Sequence, residues 1–209
     1  MNNHSFLVFY ALNLKFKNMV RLKTEDKREA ILLATLRLVN SNGFHAAPMS
    51  KIASDAGVSA GTIYVYFQSK EDLVNTLYRE LKLKFARKAL LNFNPGAPVK
   101  KGFEIIWRNI LAYKLNEPEE AAFLEQCDNT PMVTDSSREL GLKSLQPLFD
   151  LWERGQQEGI IKPLCRYMLF AHSLFPVIYV ANAYSKIREE LSNEAVEASF
   201  GASWDAIRT

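Results

Sequence analysis

Cysteine is almost missing from this 209-residue chain: Cys127 and Cys165 lie 38 positions apart, outside any CxxC or Cys/His cluster. That excludes a disulfide framework and the usual zinc spacings, and it fits a reducing cytoplasm. Histidine is as sparse. His4, His45 and His172 are scattered, with no Ser/His/Asp or HExxH arrangement around them, so neither a catalytic residue nor a metal site is expected. His172, within an apolar run, reads as a core or interface histidine. No glycine-rich phosphate loop occurs and no cofactor is expected. No segment alternates with period two for long enough to make a strand.

Two apolar stretches raise the question of a membrane. Residues 5–14, SFLVFYALNL, have the length of a signal-peptide core, but no positive charge precedes them and no small-x-small site follows. Met19 opens MVRLKTEDKREAIL, so residues 1–18 are expected to be an extension upstream of the natural start, or else a loosely ordered apolar tail. The second run, Tyr167 to Ser185, has 19 residues without a formal charge, enough to span a bilayer. His172, Ser173, Pro176 and Asn182 interrupt it, and no second span precedes it. A buried helix packed in a core or against a partner subunit, kinked at Pro176, is expected instead of a membrane helix.

What the chain does have is charge of uneven sign. Residues 1–94 hold 14 Lys and Arg against 7 Asp and Glu, net +7, and residues 95–209 hold 12 against 16, net −4. An N-terminal half that meets a polyanion accounts for this, as does a solvated basic face without a partner.

Helical spacing runs throughout. Thr24 is expected to cap a first helix that ends at Gly43, followed by short helices from Pro48 to Ala56 and from Ala60 to Phe67. Ser69 and Asp72 form a capping box for a fourth helix reaching Leu91. NFNPGAP at 92–98 is the clearest break. Beyond it, helices are expected over 99–115, 119–127, 136–158, 164–185 and 192–207. The chain reads as all-α: residues 1–23 an extension or arm, 24–70 a three-helix bundle, 71–209 a larger helical body.

Counting Met49 as one, Ile52, Ala53, Ala56, Gly57, Val58, Ile63 and Tyr66 fall at positions 4, 5, 8, 9, 10, 15 and 18, the spacing of a helix-turn-helix. Ala53 is small where two helices cross, Gly57 suits the turn, and Ile52, Val58 and Ile63 fill the space between. Ile63 and Phe67 then face inward, leaving Thr62, Tyr64 and Val65 outward on a helix sized for a major groove. Phenol hydroxyls and the free amides at Ser59 and Ala60 suit phosphates. Rings that merely cover the bundle, with hydroxyls in water, are the alternative use of Tyr64 and Tyr66.

The run AGVSAGTIYVYFQSKEDL closely resembles the DNA-binding segment of the TetR family of bacterial transcriptional regulators, matching at Gly61, Thr62, Ile63, Tyr64, Tyr66, Phe67, Lys70, Glu71 and Leu73. The likeness extends from about Lys23 to Leu81. It implies a three-helix DNA-binding bundle on a helical ligand-binding and dimerisation domain, and hence a homodimeric cytoplasmic repressor released from a palindromic double-stranded operator by a small-molecule effector. Ser59, Ala60, Gly61, Thr62, Tyr64, Val65, Tyr66 and Lys70 carry over as DNA contacts, with Thr62, Gly61 and Val65 nearest base edges and the tyrosines and Lys70 on phosphates. Ser50 or Met49 would serve the second helix, and Arg21 and Lys23 could reach the backbone. Where the family commonly has Ser or Thr before the second helix, this chain has Ala47 and Pro48, so that side-chain cap is missing.

In the body, Phe103, Trp107, Tyr113, Phe149 and Trp152 either line an apolar ligand pocket or form ordinary core. IIWRNILAYKLNEPEE resembles the sixth-helix approach of RamR-like multidrug-sensing members, which points to Trp107 and Tyr113 and to a cationic or planar effector. The last two helices fall where the family dimerises, making Phe170, Leu174, Ile178 and Ala181 interface residues. A helical small-molecule-binding or interaction protein without DNA binding is the rival reading, opposed by the intact Tyr64, Tyr66 and Lys70.

Overall fold

The computed structural model describes residues 24–128, 130–187 and 191–209. The expectations for residues 1–23, including Arg21, Lys23 and His4, therefore lie outside the described residues. The described chain is helical, with α1 over residues 24–42, α2 Met49–Asp55, α3 Ala60–Tyr66, α4 Lys70–Ala89, α5 Val99–Asn116, α6 Pro118–Asp128, α7 Asp135–Lys143, α8 Gln146–Gln157, α9 Arg166–Ser173, α10 Phe175–Ile187 and α11 Asn193–Ile207. Its extended pairing, among the described residues, is one isolated bridge between Ile161 and Arg208. Thr24, expected as a cap, is itself helical.

The chain divides into two compact units, Met1–Leu77 and Tyr78–Thr209. The division falls inside α4 and not at the expected 70/71, because Leu73, Val74 and Leu77 are buried side chains of the helix's first half. In the first unit, Ile31, Ala34 and Val39 of α1, Ile52 and Ala53 of α2, and Ile63 of α3 make the core with Phe67. Gly57 has φ +66°, a conformation that a Cβ disfavours. It ends α2 in a Schellman turn: Val58 N–H donates to the Ala53 carbonyl at 2.9 Å and Gly57 N–H to that of Ser54 at 3.1 Å.

In the second unit α5 packs against α6, α8, α10 and α11. Phe103 and Trp107, one turn apart on α5, meet Phe200 and Trp204 of α11 at ring-centroid distances of 6.2, 6.0 and 5.6 Å. Such aromatic pairs add about 0.5–1.5 kcal/mol each beyond their burial.

Two expected helices are each broken in two. The span 136–158 parts at Ser144 and Leu145, since Pro147, near the start of α8, cannot bond back to the carbonyl of Lys143 and would clash with it. The span 164–185 parts at Leu174, where Pro176 imposes the same restriction against His172. The expected kink is thus a break. Among the described residues no helix is long and apolar enough to cross a membrane.

Candidate nucleic-acid interface

The first-unit site is set by α3, a seven-residue helix whose start is fixed by its own side chains. Ser59 Oγ accepts the Thr62 amide at 3.1 Å and lies 2.8 Å from Thr62 Oγ1, a cap worth about 1 kcal/mol. Ile63 and Phe67 are buried, and their four-residue spacing fixes the helix's rotation about its axis. Tyr64 and Val65 are consequently turned outward, 57% and 80% exposed. Ser59, Ala60 and Gly61 are exposed beside them, and Thr62 and Tyr66 are half-buried. Aromatic and apolar side chains this exposed on a well-anchored helix gain nothing from the fold, which leaves them free for a partner.

Behind α3 the start of α4 is held as expected. Ser69 Oγ accepts the Asp72 amide at 3.0 Å, while Asp72 Oδ2 reaches past the cap to the Gln68 amide, also at 3.0 Å. Lys70 Nζ donates to the Phe44 carbonyl in the turn between α1 and α2, and desolvation lowers its pKa. One of its three donors thus ties the motif together and the others remain for a phosphate.

On α2, Pro48 occupies the N-cap and not the first helical position, with no side-chain cap. Its carbonyl accepts the Lys51 and Ile52 amides at 3.0 and 3.1 Å. Ser50 is exposed and Met49 half-buried. Lys51 is exposed next to Ser50 and was not singled out in the sequence; a charge that opens the first helix of the motif is the signal that marks it. Arg37 is tied to Asp55 at 2.9 Å.

The body residues fall differently. Phe103, Trp107, Tyr113, Phe149 and Trp152 are all buried. Four of them belong to one packed cluster, and Tyr113 donates to Glu120 at 3.0 Å and meets Phe85 edge-on at 5.0 Å. Burial, with the Glu120 carboxylate beside it, pushes the Tyr113 phenol well above its ordinary range. The Trp107 and Trp152 indole N–H groups make no hydrogen bond with the described residues.

Of the expected interface residues, Leu174 and Ala181 are fully buried in their own subunit's core, with Phe170 and Ile178 packed at its edge. The same two helices expose Tyr167, Met168, Phe175 and Tyr179. His172, expected in a core or interface, is exposed on the subunit. Among the described residues no cluster of His, Cys, Asp and Glu suits a metal ion.

Residues 31–77 match a family model described as "Bacterial regulatory proteins, tetR family", and residues 98–208 one described as "Tetracyclin repressor-like, C-terminal domain". An uncharacterized HTH-type transcriptional regulator of Haemophilus influenzae is 28% identical over 190 residues, covering 90% of this chain and all of that protein. A TetR family transcription regulator from Marinobacter aquaeolei superposes with TM-score 0.83 at 27% identity, over 90% of this chain and 98% of that one. A TetR family protein from Vibrio parahaemolyticus superposes with TM-score 0.76 at 31% identity, over 88% and 99%.

Proposed function

The chain belongs to the TetR family and is a DNA-binding helix-turn-helix transcriptional regulator, and from that premise we propose that it is a homodimeric repressor released from a palindromic operator by a small organic effector. Acting on DNA, it works in the bacterial cytoplasm. The observation that carries the reading is the rotation of α3, which buries Ile63 and turns Tyr64 and Val65 outward. Thr62, Gly61 and Val65 read base edges, while Tyr64, Tyr66, Lys70 and the amides at Ser59 and Ala60 hold phosphates. Ser50 on α2 supports the same backbone.

The exposed Tyr167, Met168, Phe175 and Tyr179 on α9 and α10 support a two-fold dimer, with Phe170 and Ile178 at the edge of its contact. A two-fold axis repeats α3 at about 34–36 Å, one DNA turn, or a multiple of it. The effector binds in the second unit and favours the form with weaker operator affinity.

Fluorescence anisotropy against the gene's own upstream DNA, with unrelated DNA of equal length and two salt concentrations, tests this. Preferential binding with a steep salt slope is expected, and Tyr64→Ala should weaken it about tenfold or more while leaving the melting temperature unchanged. Equal affinity for both DNAs in the wild type, with Tyr64→Ala indistinguishable from it, would leave a helical ligand-binding protein that no longer reads DNA.

A further inference from the structure

Operator binding makes no use of a group of charges buried in the second unit. Lys114 of α5 is only 7% exposed, and its Nζ rests on Glu125 of α6. Both Glu125 carboxylate oxygens also accept from Asn182 Nδ2 of α10, at 3.1 and 3.0 Å. Arg138 of α7 donates to the carbonyls of Cys127, Asp128 and Thr130 at 3.0, 3.3 and 2.8 Å, offsetting the negative end of α6. Both cations are therefore occupied.

Lys82 of α4 is not. Its side chain is 21% exposed, its carboxylate neighbour Asp128 lies at 3.9 Å and faces solvent, and it donates no hydrogen bond to another described residue. Its ammonium stands 5.3 Å from the centroid of the Tyr78 ring, one turn earlier on α4. Tyr78 is 97% buried by residue (3% exposed), and its hydroxyl likewise makes no hydrogen bond with a described residue. Gly141 of α7 leaves room for both: a Cβ there would stand 3.2 Å from Lys82 Cγ and 3.4 Å from the Tyr78 oxygen. Neither donor is bonded to a described residue, and neither atom is among those sealed from solvent without a partner, so a half-buried ammonium and a phenol on a largely buried ring both remain open to a ligand.

We propose that Tyr78 and Lys82 are the recognition pair for the carboxylate of an organic acid, and that this acid is the effector. The inference rests on the effector-released reading and replaces the expected cationic effector with an anionic one. One carboxylate accepts from both donors, and its one negative charge matches the Lys82 ammonium, whose carboxylate neighbour stands off at 3.9 Å. A doubly charged phosphate would set its second charge against Asp128, and an amine would be repelled by Lys82. Desolvation lowers the Lys82 pKa and burial, with the Asp128 charge, raises Tyr78 to about 12, both in keeping with donors withdrawn from water.

Calorimetric titration of the full chain with octanoate, octylamine, octanol and octyl phosphate tests the proposal. Octanoate should bind most tightly, Lys82→Met should weaken it about tenfold or more, Tyr78→Phe several-fold, and Lys82→Arg should retain most of the affinity. Without ligand, Lys82→Met should melt at or above the wild-type temperature, since it removes a partly desolvated charge whose one carboxylate neighbour is distant and exposed, which also shows that it folds. The proposal is overturned if wild type does not bind octanoate, if Lys82→Met binds it equally well, or if the amine, alcohol or phosphate binds as tightly. Anisotropy on operator DNA separates the two readings. Lys82-dependent octanoate binding that leaves operator affinity unchanged keeps the carboxylate site and removes its role as effector site. Release by octanol or octylamine that ignores Lys82 keeps the regulator and removes the site.

Discussion

The two units place their polar groups in opposite directions. In the first, Ser59 and Tyr64 stand on the surface of a short helix and its cap, over a core mostly of aliphatic side chains with one phenyl ring. In the second, Lys114, Tyr113 and Tyr78 are turned inward. A surface built on one helix depends on consecutive residues, because burying Ile63 and Phe67 dictates where their neighbours point. An interior depends on which distant segments meet, as when α5, α6 and α10 bring Lys114, Glu125 and Asn182 together.

The strongest way to break this contrast is to unmake one core and watch the other. Phe67→Ala should destabilise the first unit by about 3–5 kcal/mol and abolish operator binding. All three tryptophans, Trp107, Trp152 and Trp204, lie in the second unit, so native tryptophan emission should persist at temperatures where DNA binding is gone. Loss of both together would mean that the two cores are not separate.

Lys114→Met tests the inward charges. Glu125 would keep only Asn182 as partner, and because its carboxylate is partly open to water the cost should be about 2–3 kcal/mol, below that of a fully sealed pair. It is read as a lower tryptophan-detected melting temperature. Adding Glu125→Gln should recover part of the loss; strict additivity would show that the pair is not coupled.

Alkaline pH gives a smaller effect. Tyr78 has its pKa raised from 10.0 to about 12 in the fold, so folding favours the neutral phenol. Its contribution is complete below pH 10 and falls as pH rises from 10 through 12, by up to about 2 kcal/mol. Denaturant midpoints of wild type should decline over that window, and those of Tyr78→Phe should decline less.

Ser59→Ala should have the smallest effect, about 1 kcal/mol from the lost cap, seen in a denaturant midpoint. A change near zero would mean that Thr62 or water replaces the lost hydrogen bonds.

The same contrast explains what could be read from sequence. The helix-turn-helix was legible because Gly57, Ile63 and Tyr66 act through neighbours a few positions away, and so was the Ser69–Asp72 box. The break before Pro176 was legible only as a kink and the one before Pro147 not at all, since helical periodicity carries through a proline when counted on paper but not when backbone amides must bond. Leu174 and Ala181, expected at the interface from an uncharged stretch as a whole, are buried in the subunit's own core: an uncharged stretch does not say which of its faces turns inward. Lys82 and Lys114 drew no attention, because a lysine buried by helices far along the chain looks in sequence like any solvated one.

Gly141 carries a consequence for genetics. Lys82 and Gly141 stand on different helices, 59 positions apart in sequence, yet the stem of one occupies the space a side chain on the other would need. In a selection for alleles that keep target genes silent while inducer is present, substitutions at these two positions should fall into one phenotypic class, with operator recognition intact in both.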